Sequence, residues 1–271
     1  MIRRFTALMI TITGFTLAAV ASAADVPAEI VDRFEARTFD YTAANGEMRQ
    51  LKYRLLRPSK VEEGKRYPLV LFLHGAGERG DDNLAQLKYL PEWMAADDWQ
   101  TKYPCYLIAP QCPSDRWWAP VRAARSEELR AKQRALDTQL DGVTGILDAA
   151  VAEFPIDTNR LYLTGLSMGG FGSWALASRQ PTRFAALVPI CGGGDPAWAE
   201  KLRDLPIWVA HGGADRIVPP EKSREMIDAL KAAGGKPQYT EMDGVGHDSW
   251  TPAYKDPEGP LPWMFEQVKA N

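Results

Sequence analysis

The stretch LTGLSMGGFG, residues 163–172, places one serine among four glycines, between an apolar run and a segment with a helical pattern. Ser167 is the centre of a G-x-S-x-G motif whose outer glycines are Gly165 and Gly169. A chain that reverses from strand to helix within a few residues holds the central serine in a strained conformation and raises its hydroxyl into open space. The motif predicts a nucleophile at Ser167. The alternative is a glycine-rich turn whose serine has no chemical role.

Apolar segments alternate with helical ones on both sides of this motif. Segments that are apolar along their whole length are typical of strands covered on both faces, as in parallel sheets. The strand candidates are 67–75, 103–111, 160–165, 184–194, 205–213 and 236–244, with an alternating, antiparallel one at 51–58. The helix candidates are 127–154, 169–180 and 221–234. This order predicts an α/β fold with a mostly parallel central sheet and helices on both faces. The short link between the strands at 184–194 and 205–213 leaves no room there for a large lid domain.

The composition is that of an ordinary globular protein. The chain has 271 residues, of which 45% are hydrophobic and 25% charged, and this length is enough for one large core. A net charge of −3 gives no reason to expect a nucleic-acid partner.

The amino-terminal segment has the pattern of a secretory signal peptide. Arg3 and Arg4 precede the apolar stretch FTALMITITGFTLAAV, and the small residues ASA follow at 21–23. We therefore expect a signal peptide over 1–23, a single catalytic domain over 24–271, and a secreted or periplasmic protein without a stable membrane anchor. The alternative is an uncleaved anchor helix.

A serine nucleophile needs a base to take its proton, and histidine is the usual one. The chain has three histidines, His74, His211 and His247. His247 lies in a loop after the last strand candidate, from which it could reach over the carboxyl edge of the sheet. His74 and His211 each end a strand, where packing or turn formation is the more common role, and they remain the alternatives.

The base in turn needs a carboxylate to orient it. Asp215 directly follows the strand candidate at 205–213 and lies between the serine and His247 in chain order. Asp195, which follows the preceding strand, is the main alternative, and Asp243 and Asp248 are closer to His247 in sequence only.

Acyl transfer also needs hydrogen-bond donors for the negative charge that develops on the carbonyl oxygen. The backbone N–H of Met168, the residue after the serine, is one expected donor. The glycine-rich loop after the strand at 67–75 is the expected source of the second, the N–H of Ala76. The alternative is a plain turn between a strand and a helix.

Several side chains in the predicted loops are candidates for contacts with a substrate. Trp117, Trp118 and Trp250 could form a pocket or simply cover the core. Glu78 and Arg79, beside Ala76, could bind a polar group of a substrate or form a solvated loop tip.

The three cysteines have no spacing typical of a zinc site. Cys105 opens a strand and is expected in the core. Cys112 and Cys191 each follow a strand, and in an exported protein they could form a disulfide. We expect neither a metal nor an organic cofactor.

Four segments, in this order, resemble the α/β-hydrolase superfamily: PLVLFLHGAGERGDDN, RLYLTGLSMGGFGSW, HGGADRIVPP and GVGHDSW. The resemblance spans about residues 50–268. Within the superfamily, the chain is similar to secreted bacterial esterases of the carboxylesterase/phospholipase and dienelactone-hydrolase-like group, which includes polyhydroxybutyrate depolymerase-like and feruloyl-esterase-like enzymes. PQCPSDRWW and ICGGGDP are also similar to segments of this group.

This resemblance implies the α/β-hydrolase fold and the roles of five residues. Ser167 would be the nucleophile, His247 the base and Asp215 the acid, with Ala76 and Met168 as oxyanion donors. It implies a serine esterase that cleaves small-molecule or polymer-linked carboxylic esters through an acyl-enzyme. Two alternatives remain: a peptidase of the prolyl-oligopeptidase type, which adds a propeller domain for which this sequence has no segment, and a non-catalytic binding protein on a hydrolase scaffold.

Overall fold

The computed structural model describes residues 26–43, 45–119 and 139–269. The segment expected to be a signal peptide, 1–23, and the first part of the helix expected at 127–154 lie outside these residues. Within the described ranges, every helix is too short or too polar to cross a bilayer.

The described residues form one eight-stranded sheet with the spatial order β1-β2-β4-β3-β5-β6-β7-β8. The strands are β1 (Phe34–Thr42), β2 (Met48–Leu56), β3 (Tyr67–Leu73), β4 (Tyr106–Pro110), β5 (Ile156–Leu166), β6 (Ala186–Ile190), β7 (Trp208–Gly212) and β8 (Gln238–Met242). The pairs β1–β2 and β2–β4 are antiparallel, and the other five pairs are parallel. The predicted mostly parallel sheet is confirmed, and each of the seven predicted strand segments overlaps one strand from β2 to β8.

Helices connect the strands along the described part of the chain. They are α1 (Ala28–Val31), α2 (Leu90–Ala95), α3 (Asp97–Lys102), α4 (Leu140–Glu153), α5 (Met168–Arg179), α6 (Ala199–Leu202), α7 (Glu221–Ala232), α8 (Trp250–Lys255) and α9 (Pro260–Glu266). Short 3-10 turns lie at Ala76–Glu78, Ala85–Leu87 and Pro196–Trp198. The helices predicted at 169–180 and 221–234 correspond to α5 and α7. Between β6 and β7 lie only α6 and one 3-10 turn, so no lid domain is inserted there.

The core consists of two layers, one on each face of the sheet. Along β3, side chains alternate between them: Leu69, Leu71 and Leu73 pack with α4, α5 and α7, whereas Val70 and Phe72 pack with α2, α8 and α9. All five are fully buried. Each contributes about 1.5–3 kcal/mol of transfer free energy, which is why a strand this apolar occupies the centre of a sheet covered on both sides. The prediction of helices on both faces is confirmed.

Strand β1 is absent from the strands predicted from sequence, and its packing explains the two glycines inside α4. Its side chains alternate between exposed and buried, so it has no continuous apolar run. Phe39 and Tyr41 project from β1 onto the helix. A Cβ atom at Gly142 would lie 2.8 Å from the Tyr41 ring, and one at Gly145 would overlap the Phe39 ring. The glycines thus allow β1 to pack closely on α4, at some cost in helix propensity.

We predict that Gly169→Ala destabilises the protein by about 3 kcal/mol or more, because the added methyl group would overlap the backbone carbonyl oxygen of Leu73 in β3. Gly246→Ala is the matched control, since a Cβ there has nothing within 4 Å. Urea unfolding of both variants measures the difference. Equal midpoints for the two variants would argue against this contact.

Candidate active site

Ser167 occupies the sharp bend between β5, which ends at Leu166, and α5, which begins at Met168. Its backbone angles are φ 53° and ψ −116°, a region that a residue with a side chain rarely adopts. Such a conformation costs on the order of 1–3 kcal/mol. The Ser167 N–H donates to the Ile190 carbonyl at 3.0 Å, which ties the bend to the end of β6.

The outer glycines of the motif are needed because β3 passes directly beneath the bend. A Cβ at Gly165 would lie 2.7 Å from the Leu73 carbonyl oxygen and 2.5 Å from that of Gly169. A Cβ at Gly169 would overlap the Leu73 carbonyl. The backbone can therefore turn at Ser167 only if both positions lack a side chain.

The structure brings together the three residues predicted to act on a substrate. His247 lies in the loop between β8 and α8, and Asp215 lies in the turn after β7. His247 Nε2 is 3.0 Å from Ser167 Oγ. His247 Nδ1 is 2.7 Å from Asp215 Oδ2. The three side chains form one continuous hydrogen-bonded chain.

The partners of Asp215 determine the direction of the hydrogen bonds in this chain. Its Oδ1 accepts the backbone N–H groups of Ile217 at 2.8 Å and Val218 at 3.0 Å. A carboxylate only accepts hydrogen bonds, so His247 Nδ1 carries the proton and Nε2 presents its lone pair to Ser167. The geometry suits transfer of the serine proton to the imidazole.

The other two histidines have different surroundings. His74 is buried and links two strand ends: its Nδ1 donates to the Gly75 carbonyl at 2.6 Å, and its Nε2 accepts the Cys112 N–H at 2.9 Å. Burial lowers the pKa of His74 to about 4, so this ring is neutral. His211 is buried at the end of β7, where it contacts Asp215.

The alternative carboxylates serve local roles or lie in solvent. Asp195 accepts the Ala197 N–H at 3.1 Å at the start of a 3-10 turn. Asp248 accepts the Thr251 N–H at 3.2 Å, and Asp243 is exposed. Asp215 is the carboxylate that bonds to His247.

The loop after β3 passes close to the serine. A Cβ at Gly75 would be 3.7 Å from Ser167 Cβ, and Ala76 follows directly as the first residue of a 3-10 turn. Met168 opens α5 at the other side of the serine. Both residues predicted as backbone donors are therefore adjacent to Ser167, and the positive end of the α5 dipole points toward the same place.

Arg79 is fixed by the backbone of this region rather than solvated at a loop tip. Its Nε donates to the Ala76 carbonyl at 3.1 Å, and its Nη1 donates to the Ser114 carbonyl at 3.1 Å and more weakly to that of Arg116. The guanidinium also lies 4.5 Å above the Trp117 ring. Arg79 thus clamps the Ala76 loop to the segment that follows β4.

Glu78 is partly buried in the same loop, and burial raises its pKa. One of its carboxyl oxygens would be 3.0 Å from a Cβ at Gly75, so the side chain folds back over the start of the loop.

The three candidate tryptophans differ in their exposure. Trp118 is fully buried and donates its Nε1–H to the His74 carbonyl at 3.0 Å, so it belongs to the core and has no surface for a pocket. Trp250 stands perpendicular to the His247 ring, with 5.4 Å between ring centroids. Trp117 is partly exposed beneath Arg79.

Cys191 is a neighbour of the site that the sequence analysis did not identify. It follows β6 with φ 38°, and its Sγ lies within 4.8 Å of ligand atoms of Asp215 and His247. These are metal-binding atom types, but the Asp215–His247 hydrogen bond occupies two of them, and burial raises the pKa of the thiol. An ion would have to displace that bond. The only sequence signal was the position of Cys191 at the carboxyl end of a strand.

The disulfide considered between Cys112 and Cys191 is not present. Both residues and Cys105 are buried free thiols, and Cys105 lies in the core as expected.

Comparison with known proteins supports the α/β-hydrolase class that the sequence resembles. A "Thermostable Esterase" of known structure superposes with a TM-score of 0.78 at 39% identity, over 89% of this chain and 64% of that chain. Poly(3-hydroxyalkanoate) depolymerase C of Paucimonas lemoignei is 25% identical over 236 residues, which are 72% of this chain and 49% of the depolymerase. The "Probable feruloyl esterase C" of Aspergillus terreus is 25% identical over 187 residues, which are 68% of this chain and 62% of that protein.

The sheet, the bend at Ser167 and these similarities define an α/β-hydrolase. Residues 59–256 match the Phospholipase/Carboxylesterase family model. The chain belongs to the phospholipase/carboxylesterase family, and the predicted resemblance is confirmed. The chain spans between 12% and 62% of the lengths of the curated relatives that it matches.

We predict that the native protein reacts slowly with Ellman's reagent and that the chain unfolded without reductant titrates as three thiols. Burial explains the slow reaction, because it raises the pKa of all three thiols and hides them from the reagent. A titre of one thiol in the unfolded chain would reveal a disulfide and contradict the structure.

Proposed function

We propose that this chain is a serine hydrolase that cleaves carboxylic esters through an acyl-enzyme intermediate, with Ser167 as nucleophile, His247 as base and Asp215 as acid. The observation that carries the proposal is the continuous hydrogen-bonded chain from Ser167 Oγ through the His247 ring to Asp215. A hydroxyl on a strained bend, an imidazole within proton-transfer distance and a buried carboxylate behind it are the parts that nucleophilic acyl transfer requires.

In the first half of the reaction, Ser167 Oγ forms a bond to the ester carbonyl carbon while its proton passes to His247 Nε2. The carbonyl π electrons move to the oxygen, which becomes an oxyanion. When the tetrahedral intermediate collapses, the C–O bond to the alcohol breaks, and the alcohol leaves with the proton from Nε2. Asp215 stabilises the transient imidazolium and keeps its Nδ1–H in place.

In the second half, water replaces the alcohol. His247 takes a proton from the water as its oxygen attacks the acyl carbon, and it returns that proton to Ser167 Oγ as the acyl bond breaks. The carboxylic acid is released, and the enzyme is restored. Every proton in this sequence moves through His247 Nε2, and the chemistry needs no group beyond these side chains and water.

The oxyanion would be stabilised by the N–H groups of Ala76 and Met168. The neighbouring polar groups of the loop have other partners: the Gly75 carbonyl accepts from His74, and the Ala76 carbonyl accepts from Arg79. Met168 is the first residue of α5, so its N–H has no acceptor four residues back within the helix. This arrangement supports the proposal that both N–H groups are held ready for the substrate.

The substrate class follows from the relatives. The similar proteins are named as an esterase, a poly(3-hydroxyalkanoate) depolymerase and a probable feruloyl esterase. We therefore propose a small-molecule or polymer-linked ester as substrate. If residues 1–23 form the expected signal peptide, the protein acts on this ester outside the cytoplasm. Rates on acetyl-xylan, feruloyl and short-chain acyl esters would rank these classes.

We predict that Ser167→Ala lowers the turnover of p-nitrophenyl acetate by about 10⁴-fold or more and abolishes labelling by a fluorophosphonate, because the bond-forming oxygen is removed. Ser178→Ala, in the same helix, is the matched control and should keep both activities. Wild-type turnover in the Ser167 variant would exclude the assignment of the nucleophile. A wild-type chain that labels but cleaves a matched amide faster than the ester would favour the peptidase alternative.

We predict that Arg79→Ala lowers kcat on the same ester by about tenfold with a smaller change in KM. Loss of the clamp lets the Ala76 N–H move from the position of the oxyanion, and a fully lost oxyanion donor costs about 10²–10³-fold in kcat. Arg183→Ala is the control, since it removes a surface arginine whose partners are Asp148 and Gln180. Equal kcat values for the two variants would show that Arg79 does not position the loop.

A further inference from the structure

A second histidine contacts the carboxylate that orients His247. His211 Nε2 lies 3.3 Å from Asp215 Oδ2, the same oxygen that His247 Nδ1 approaches at 2.7 Å. The side chains of both His211 and Asp215 are fully buried. The mechanism proposed above makes no use of this contact.

The partners of His211 decide which of its ring nitrogens carries the proton. Nε2 is 2.9 Å from the Val218 carbonyl oxygen, which can only accept. The proton on Nε2 is therefore directed to that carbonyl, and Asp215 Oδ2 makes the second, longer contact with the same nitrogen. Nδ1 is 2.7 Å from Ser223 Oγ, whose one hydroxyl proton is shared between Nδ1 and the Gly192 carbonyl. The Val218 carbonyl selects the tautomer in which Nε2 carries the proton.

Ser223, which bonds to the His211 ring, is itself held in place by its surroundings. Ser223 lies in the first turn of α7 and is fully buried. Its Oγ is also 3.2 Å from the carbonyl oxygen of Gly192. A Cβ at Gly192 would be 2.6 Å from the Gly170 backbone, in the helix that follows the nucleophile. A continuous series of contacts therefore connects α5 with Gly192, Ser223 in α7, His211 and finally Asp215.

The charge of the His211 ring affects its interactions with both Asp215 and His247. Burial lowers its pKa, so the ring is neutral near pH 7. The titratable groups around it are Asp215, His247 and Glu241, its register partner on β8. A second cation at this position would repel the His247 imidazolium and compete for the same carboxylate oxygen. A neutral ring can donate to Asp215 without either effect.

We propose that His211 is a positioning residue, whose buried Nε2–H contacts Asp215 Oδ2 and keeps it in line with His247 Nδ1. This inference rests on the proposed function of the site. Asp215 accepts three hydrogen bonds, from two backbone N–H groups on Oδ1 and from His247 on Oδ2, and His211 Nε2 makes a longer contact of 3.3 Å with the same Oδ2. His211 is the only side chain among them that never meets the substrate, and without it Oδ2 is fixed by His247 alone.

The test compares His211→Phe with His211→Gln. Phe fills the space of the ring but donates nothing, whereas the Gln amide nitrogen can reach the position of Nε2. We expect Phe to lower kcat on p-nitrophenyl acetate by about 10- to 100-fold, with KM within about twofold of the wild type. Gln should restore kcat to within about fivefold of the wild type.

Tyr162→Phe is the control for stability, because it removes a buried hydroxyl whose partners are the Phe265 and Gln267 carbonyls rather than a residue of the site. The proposal is wrong if Tyr162→Phe lowers kcat as much as His211→Phe does at an equal loss of stability. It is also wrong if the kcat of His211→Gln is no higher than that of His211→Phe.

A second measurement separates this inference from the proposed function. The His247 Nδ1–H proton can be followed by its downfield NMR resonance without any substrate. We expect that resonance to shift or broaden in His211→Phe and to return in His211→Gln, and an unchanged resonance in the Phe variant would overturn the proposal. A wild-type chain that cleaves no ester would contradict the proposed function, while the resonance would still report on the His211 contact.

Discussion

The structure depends on the close approach of two backbone segments. One is the bend around Ser167, and the other is Leu73, the last residue of β3. The Leu73 carbonyl sits where Cβ atoms at Gly165 and Gly169 would be. The Leu73 carbonyl cannot move aside without disturbing the pairing of Leu73 with Gly165 in β5. The same approach brings the residues after Leu73, beginning with His74 and Gly75, next to the serine. One steric constraint therefore creates the exposed hydroxyl and sets the loop with the proposed oxyanion donor beside it.

The parallel strands gather the remaining groups at one edge of the sheet, as the topology requires. Cys191, Asp215 and His247 follow β6, β7 and β8 in turn, and each approaches the serine from a different loop. Their exposure differs in a way that matches their chemistry. Asp215 is fully buried and accepts three hydrogen bonds, whereas the His247 side chain keeps 21% of its surface exposed. The carboxylate is held by its buried hydrogen bonds, and the ring proposed to exchange protons is the one that reaches solvent.

The sequence was informative where local chemistry demands a particular residue type. Fully apolar strands, the glycines around Ser167 and the loop positions of Asp215 and His247 could be predicted because each requirement acts over a few residues. Strand β1 was missed because half of its side chains are solvated. Gly142 lowers the helix propensity of α4, and the reason for it is the close packing of Tyr41 from a strand distant in sequence. Tertiary contacts of this kind leave no periodic signal in the sequence.

The contrast between His211 and His247 shows what sequence could not supply. Both follow or end strands at the same edge, both contact Asp215 Oδ2, and both have a hydroxyl on the other ring nitrogen, Ser223 in one case and Ser167 in the other. Only burial separates them: the His211 side chain is fully enclosed, and its hydroxyl partner lies inside a helix. A ring that no substrate can reach cannot act as a base, whatever its hydrogen bonds. The same residue types therefore build the proposed catalytic pair on one side of Asp215 and an enclosed pair on the other.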